Sequence, residues 1–146
     1  MVDGKQIAGL LPTMQEIKYH NCFICGDANP VGLQLSFDYE DEAAFTWFDS
    51  PARYEGYEGV IHGGIIAALL DEAMAKVVIS KGLIAVTAEM NIKYRQPLKV
   101  GQRAKLWGTI TLQKSRILHT RAWLADEAGK LFAEATGVYV VVNRLT

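Results

Sequence analysis

From residue 83 to the carboxyl terminus, apolar and polar positions alternate. Val86, Ala88, Met90, Ile92 and Tyr94 are interleaved with Thr87, Glu89, Asn91, Lys93 and Arg95, the two-residue period of a strand with one buried face. Pro97 and Gly101 break the run. Leu106, Gly108, Ile110 and Leu112 then alternate with Trp107, Thr109, Thr111 and Gln113, and Leu118, Thr120, Ala122 and Leu124 with Ile117, His119, Arg121 and Trp123. Asp126 to Gly129 reads as a turn and Lys130 to Val142 as a last long strand. Near the amino terminus, Leu33, Leu35, Phe37 and Tyr39 alternate with Gln34, Ser36 and Asp38, the acidic run Glu40-Asp41-Glu42 turns the chain, and Ala43 to Phe48 pairs back. Between these groups lies Ile65 to Ser80, apolar in most positions and too long for a typical strand. Ala67, Ala68, Ala73 and Ala75 favour helix there, and Gly82 supplies its stop.

Two strands, one helix and four strands make an α+β fold. The helix is apolar nearly all round and therefore expects protein on its sides. One helix cannot cover both faces of a six-stranded sheet, so the economical arrangement is a curved antiparallel sheet wrapped around it. The outer face and edge strands then call for self-association. Residues 1–30 read as a mixed lead-in, with a short helix near Thr13 to Tyr19, and the 146 residues as one domain.

With 50% hydrophobic residues the chain can build a real core, which excludes intrinsic disorder. A net charge of −1 argues against a general nucleic-acid binder. The longest uncharged stretch, Gly59 to Leu70, is too short to span a bilayer, and the apolar patch at Ile7 to Leu11 makes a poor signal peptide. Two cysteines are few for a secreted disulfide scaffold. The expectation is a cytoplasmic protein that binds neither membrane nor nucleic acid. The charge is unevenly spread: Asp38 to Glu58 is acidic but for Arg53, while Met90 to Ala125 carries Lys93, Arg95, Lys99, Arg103, Lys105, Lys114, Arg116 and Arg121 without an acid. Such a stretch is either a solvated outer face or an attractor for a compact anion such as a nucleotide phosphate.

Asp71 and Glu72 interrupt the apolar helix, and a carboxylate there is costly unless paired. His62-Gly63-Gly64 stands at the helix entrance. Glycines allow close approach to the backbone, and first-turn N–H groups at the positive dipole end make an oxyanion site. Seven residues from Gly64 to Asp71 span roughly 10 Å of helix. Both groups cannot reach one carbonyl from a single chain, so a site using both would lie between two copies.

The segment His62-Gly63-Gly64-Ile65-Ile66-Ala67-Ala68-Leu69-Leu70-Asp71-Glu72-Ala73 resembles the signature of hotdog-fold acyl-CoA thioesterases of the PaaI-like group, within the 4-hydroxybenzoyl-CoA thioesterase superfamily. Cys22-Phe23-Ile24-Cys25-Gly26 with Asn29-Pro30 and Gly32-Leu33, Val86-Thr87-Ala88 and Lys93-Tyr94-Arg95-Gln96-Pro97-Leu98 extend the resemblance over residues 20–142. It implies a hotdog fold that assembles as dimers or dimers of dimers, and hydrolysis of an acyl-CoA thioester without metal or cofactor. Asp71 matches the general base or nucleophile, Gly63 and Gly64 the backbone donors to the thioester oxygen, His62 the motif histidine and Thr87 a hydroxyl partner of the aspartate. Relatives often carry Asn where this chain has Gly56, so Tyr57, Glu58, Thr87 or a water must position the attacking water. Tyr57, with Tyr54, is a candidate for the acyl pocket, and Arg95, Lys114 and Arg116 are candidates for the phosphates of coenzyme A. Acyl-CoA binding without turnover and a hotdog hydratase or dehydratase are the alternatives.

Other chemistries fit less well. Cys22-x-x-Cys25 has only His20 nearby in sequence, short of the four ligands of a structural zinc, and lacks the βαβ setting of a redox pair. No Gly-x-Ser-x-Gly elbow, Walker motif or dinucleotide glycine pattern occurs.

Overall fold

The structure is a computed structural model describing residues 19–144; the helix expected near Thr13 to Tyr19 falls almost wholly outside them. Six antiparallel strands form one sheet: β1 (Asp38–Glu40), β2 (Ala43–Phe48), β3 (Leu83–Tyr94), β4 (Ala104–Lys114), β5 (Ile117–Ala125) and β6 (Leu131–Arg144), in the order β1-β2-β4-β5-β6-β3. Helix α1 (Gly63–Ser80) lies against it. This is the architecture the alternating pattern predicts. Among the described residues no helix is long and apolar enough to cross a membrane.

The connections follow local chemistry. Asp41 and Ser115 adopt positive φ in the β1–β2 and β4–β5 turns. Between β5 and β6, Asp126 accepts from the Ala128 and Lys130 amides at 3.0 and 2.8 Å, an Asx-type turn. β3 pairs with β6 instead of the next strand in sequence, which leaves β3 as a sheet edge of 12 residues.

The first expected strand is shorter than its alternation suggests. Gln34 takes φ 52° and interrupts the extended run. The Leu33 and Leu35 amides donate to Phe23 and Ile24 carbonyls, both at 2.9 Å, so this stretch pairs with the lead-in and only Asp38–Glu40 joins β2.

Ile66, Leu69, Leu70, Ala73, Met74, Val77 and Val78 of α1 are buried, with Leu106, Leu118, Leu124 and Tyr139 in the same core. Each large side chain among them contributes roughly 1.5–3 kcal/mol of hydrophobic stabilisation. Helix and sheet approach closely at Gly108, where an added Cβ would stand 2.2 Å from the Ala73 carbonyl oxygen. The sheet covers one side of α1; Ala67, Ala68, Asp71 and Ala75 on the other remain partly open in the single chain.

Candidate functional site

Asp71 is half-buried on the open side of α1. Its Oδ1 accepts a hydrogen bond from Thr87 Oγ1 at 2.8 Å and another from Tyr139 Oη at 2.5 Å. Tyr139 Oη also lies 3.0 Å from the Asp71 carbonyl oxygen. Thr87 and Tyr139 are register partners across β3 and β6, just before a bulge that leaves Ala88 without a partner. A bulge re-aims the neighbouring side chains. The Tyr139 phenol is pushed far above its ordinary value, first by burial and then by the Asp71 charge and hydrogen bond. It therefore stays a donor. Among the described residues no hydrogen bond engages Asp71 Oδ2.

The helix entrance is built by its own cap. His62 Nδ1 accepts from the Gly64 amide at 2.8 Å, and the Ile65 and Ile66 amides donate to the His62 carbonyl. Gly64 N–H, expected as an oxyanion donor, is thus turned to the imidazole. The Gly63 N–H has no partner among the described residues. Tyr94 Oη donates to the Gly63 carbonyl at 2.8 Å, and its ring lies 3.6 Å from where a Gly63 Cβ would stand. Gly56 packs on the other side of the histidine: a Cβ there would come within 3.1 Å of His62 Cα. A side chain at 56 would therefore need His62 to give by a few tenths of an ångström.

Two open depressions of about 480 Å³ flank His62. One is lined by Tyr57, Gly56 and Gly63, the other by Tyr54, Gly64 and Ile65. Tyr57 is 89% exposed, whereas Tyr54 is a core residue whose hydroxyl donates to the Gly32 carbonyl. The three basic candidates do not meet within one chain. Lys114 and Arg116 flank the β4–β5 turn, beside the start of β3, since Val141 pairs with Ala85 and its amide donates to Arg116. Arg95 follows the far end of β3 and pairs with Glu134 at 3.0 Å. Ten residues of strand separate these ends, roughly 30 Å. Other cations of the basic stretch cover aromatic rings: Arg103 lies over Trp47, Lys105 over Phe45 and Trp107, and Arg121 over Trp123.

Cys22 and Cys25 are free and partly buried. The residue beside them is Glu72, not His20, which pairs with Asp27. The Cys25 thiol is pushed up to about 12, chiefly by burial and then by Glu72. A thiol so shifted is a poor redox nucleophile.

Tyr139 and Tyr94 were not candidates from sequence. Tyr139 sits at an inward position of the last strand, and Tyr94 ends the β3 alternation. The strand order sets Tyr139 beside Thr87, and α1 packed over the sheet brings Asp71 to both hydroxyls.

The profile of the thioesterase superfamily matches residues 58–133. Human acyl-coenzyme A thioesterase 13 is 33% identical over 79 residues, covering 52% of this chain and 56% of the relative. The chain spans about half the length of the curated relatives it matches. Among solved structures, smu.793 from Streptococcus mutans UA159, bound to acetyl CoA, aligns with TM-score 0.72 at 22% identity over 77% of this chain and 91% of that one. The Escherichia coli PaaI protein of the phenylacetic acid degradation operon aligns with TM-score 0.73 at 20% identity over 84% of this chain and 87% of that one. These likenesses establish the hotdog fold.

Proposed function

Because the chain belongs to the thioesterase superfamily, whose profile spans just over half of it, we propose that it hydrolyses acyl-CoA thioesters to the free acid and coenzyme A. One observation carries this reading: Asp71 is held by Oδ1 between two hydroxyls while Oδ2 has no partner among the described residues. A carboxylate fixed in that way presents one oxygen in a set direction. A water that donates one hydrogen to Oδ2 and the other to Thr87 Oγ1, whose own proton is given to Asp71, is left with a lone pair for the thioester carbon. Asp71 takes the proton as the C–O bond forms. The oxyanion is received by the unpaired Gly63 N–H, worth ~3 kcal/mol by analogy with measured sites. Collapse of the tetrahedral intermediate expels the thiolate, which the proton on Asp71 then neutralises. His62 serves as the cap that orients this amide. No metal or cofactor enters these steps.

Eight residues separate Gly63 from Asp71, roughly 12 Å along the helix. Amide and carboxylate therefore act on one carbonyl only if they come from different copies. The edge of β3, which no other strand covers among the described residues and on which Thr87 and Tyr94 are exposed, supports a dimer joined along that edge, or a dimer of dimers built from it. Such pairing brings the Arg95 end of one β3 toward the Lys114–Arg116 end of the other, where the three cations would meet the coenzyme A phosphates. Tyr57 lines the depression beside Gly63 and is the acyl-pocket candidate. The two free cysteines accord with a reducing cytoplasmic setting.

The test is thiol release over acyl-CoAs of varied length and shape. Asp71→Asn keeps both hydroxyl partners' space and should lose ~10²–10⁴ in turnover, the range of a general base. Unchanged turnover in that variant rejects the assignment. Tight binding without release in the wild type would favour an acyl-CoA-binding protein, and turnover of enoyl-CoA instead would favour a hydratase.

A further inference from the structure

We infer that Cys22, Cys25 and Glu72 form a binding site for a thiophilic divalent cation of the zinc class. The two Sγ atoms and a Glu72 carboxylate oxygen all lie within 4.8 Å of one another. Cys22 Sγ is 3.9 and 4.0 Å from the two Glu72 oxygens, which is long for a thiol–carboxylate hydrogen bond. Two ligands of one tetrahedral zinc, with Zn–S near 2.3 Å and Zn–O near 2.1 Å, stand about 3.6 Å apart. The Cys22–Glu72 separation is within a few tenths of an ångström of that spacing, and Cys25 Sγ lies within 4.8 Å of both.

The backbone prepares the sulfur for that role. The Ile24 and Cys25 amides both point at Cys22 Sγ, at 3.4 Å each. Two N–H donors hold that sulfur in place beside Glu72. The loop is folded tightly enough to need glycine next: a Cβ at Gly26 would fall 2.3 Å from the Cys22 nitrogen and 2.4 Å from the His20 carbonyl. Glu72 reaches the pair from α1, 50 residues away in sequence, so three ligands arrive from two separate elements. Its side chain is only 17% exposed, with Lys76 Nζ 3.8 Å away.

On binding, the two thiols would give up their protons, and the ion's two positive charges together with Lys76 would balance two thiolates and Glu72. Sulfur ligands select zinc over magnesium or calcium. Solvent completes the fourth position. Because Glu72 follows Asp71 directly, the ion would clamp the lead-in loop to α1 beside the proposed catalytic turn. The cation site stands whether or not Asp71 hydrolyses thioesters, and its test reads no activity.

The full chain, reduced and stripped with chelator, is titrated with cobalt(II) chloride under argon. The expected result is thiolate-to-cobalt charge-transfer absorption saturating at one ion per chain, abolished by equimolar zinc chloride. Cys22→Ser should remove that absorption, and Glu72→Gln should weaken binding by at least about tenfold. Zinc-loaded protein should also react more slowly with a disulfide reagent at both thiols. Absence of sulfur-to-cobalt absorption in the wild type overturns the proposal, a readout that needs no variant to fold. So does an absorption that survives Cys22→Ser, or a Cys22–Cys25 disulfide in protein purified without reductant that holds no metal.

Discussion

Thr87 and Tyr139 face each other across β3 and β6 and donate to the same oxygen of Asp71, at 2.8 and 2.5 Å. They differ in what else they do. Tyr139 is 1% exposed and belongs to the core, whereas Thr87 is exposed beside the free oxygen of the carboxylate. One bond therefore ties Asp71 to the core, while the other lies at the surface, where the proposed mechanism uses it.

That difference separates two variants. Tyr139→Phe keeps the ring and removes one anchor, so stability should fall by about 1 kcal/mol and turnover by about tenfold. Thr87→Val removes both the anchor and the water's second acceptor, so turnover should fall by about a hundredfold with little change in Tm. Thr87→Ser should restore most of it. Steady-state kcat with thermal melts checks the pair, and equal losses from Thr87→Val and Tyr139→Phe would contradict the division of roles.

Tyr139 also sets an alkaline limit. Its phenol is held far above the ordinary value by burial and by Asp71, so in the folded chain it stays protonated where an unfolded tyrosine, with pKa about 10, does not. Below about pH 10 both states keep the proton and nothing is lost. Above it the unfolded state binds fewer protons than the folded one, and stability falls as pH rises. Urea midpoints from pH 8 to pH 11 should decline past pH 10, and less steeply in Tyr139→Phe. A variant that declines as steeply as the wild type would refute the attribution.

The seat of α1 on the sheet is equally specific. At Gly108 a methyl group would stand 2.2 Å from the Ala73 carbonyl oxygen and 2.9 Å from the Met74 nitrogen. These are backbone atoms of a helix and cannot rotate away. Gly108→Ala should destabilise by roughly 1–3 kcal/mol, a Tm drop of several degrees for a chain of this size. A variant that melts with the wild type would mean the helix can lift off β4 freely.

Much of this was legible beforehand, for physical reasons. Alternation fixes which face of each strand is buried, and Leu118, Thr120, Ala122 and Leu124 of β5 are all buried as the pattern requires. The helix declared itself by length and alanine content. Asp71 stood out because an acid amid apolar residues needs a partner, and Thr87 was named through family resemblance. Strand order was not legible, because alternation says nothing about which strand lies beside which. Tyr139 was missed for that reason. So was the reach of Glu72 to the Cys22–Cys25 loop, a contact spanning 50 residues. The truncation of β1 turned on the backbone conformation of Gln34, which composition does not encode.

The proposed division of the site between two chains gives the sharpest experiment. Gly63 is the first residue of α1 and follows a cap with φ −58° and ψ 133°, a conformation that tolerates a following proline. Proline is also well accepted at a first helical position. Gly63→Pro therefore removes the unpaired N–H while leaving the helix in place, and the homodimer should be nearly inactive, like Asp71→Asn. In a mixed dimer of the two variants, the intact Asp71 comes from one chain and the intact Gly63 amide from the other, so one complete site is restored. Unfolding and refolding an equal mixture gives mixed dimers for half the population, each with one working site in two. Thiol release should recover to about a quarter of the wild-type rate. If both groups instead acted from the same chain, every site in the mixture would carry one defect, and the refolded sample would stay as inactive as its parents.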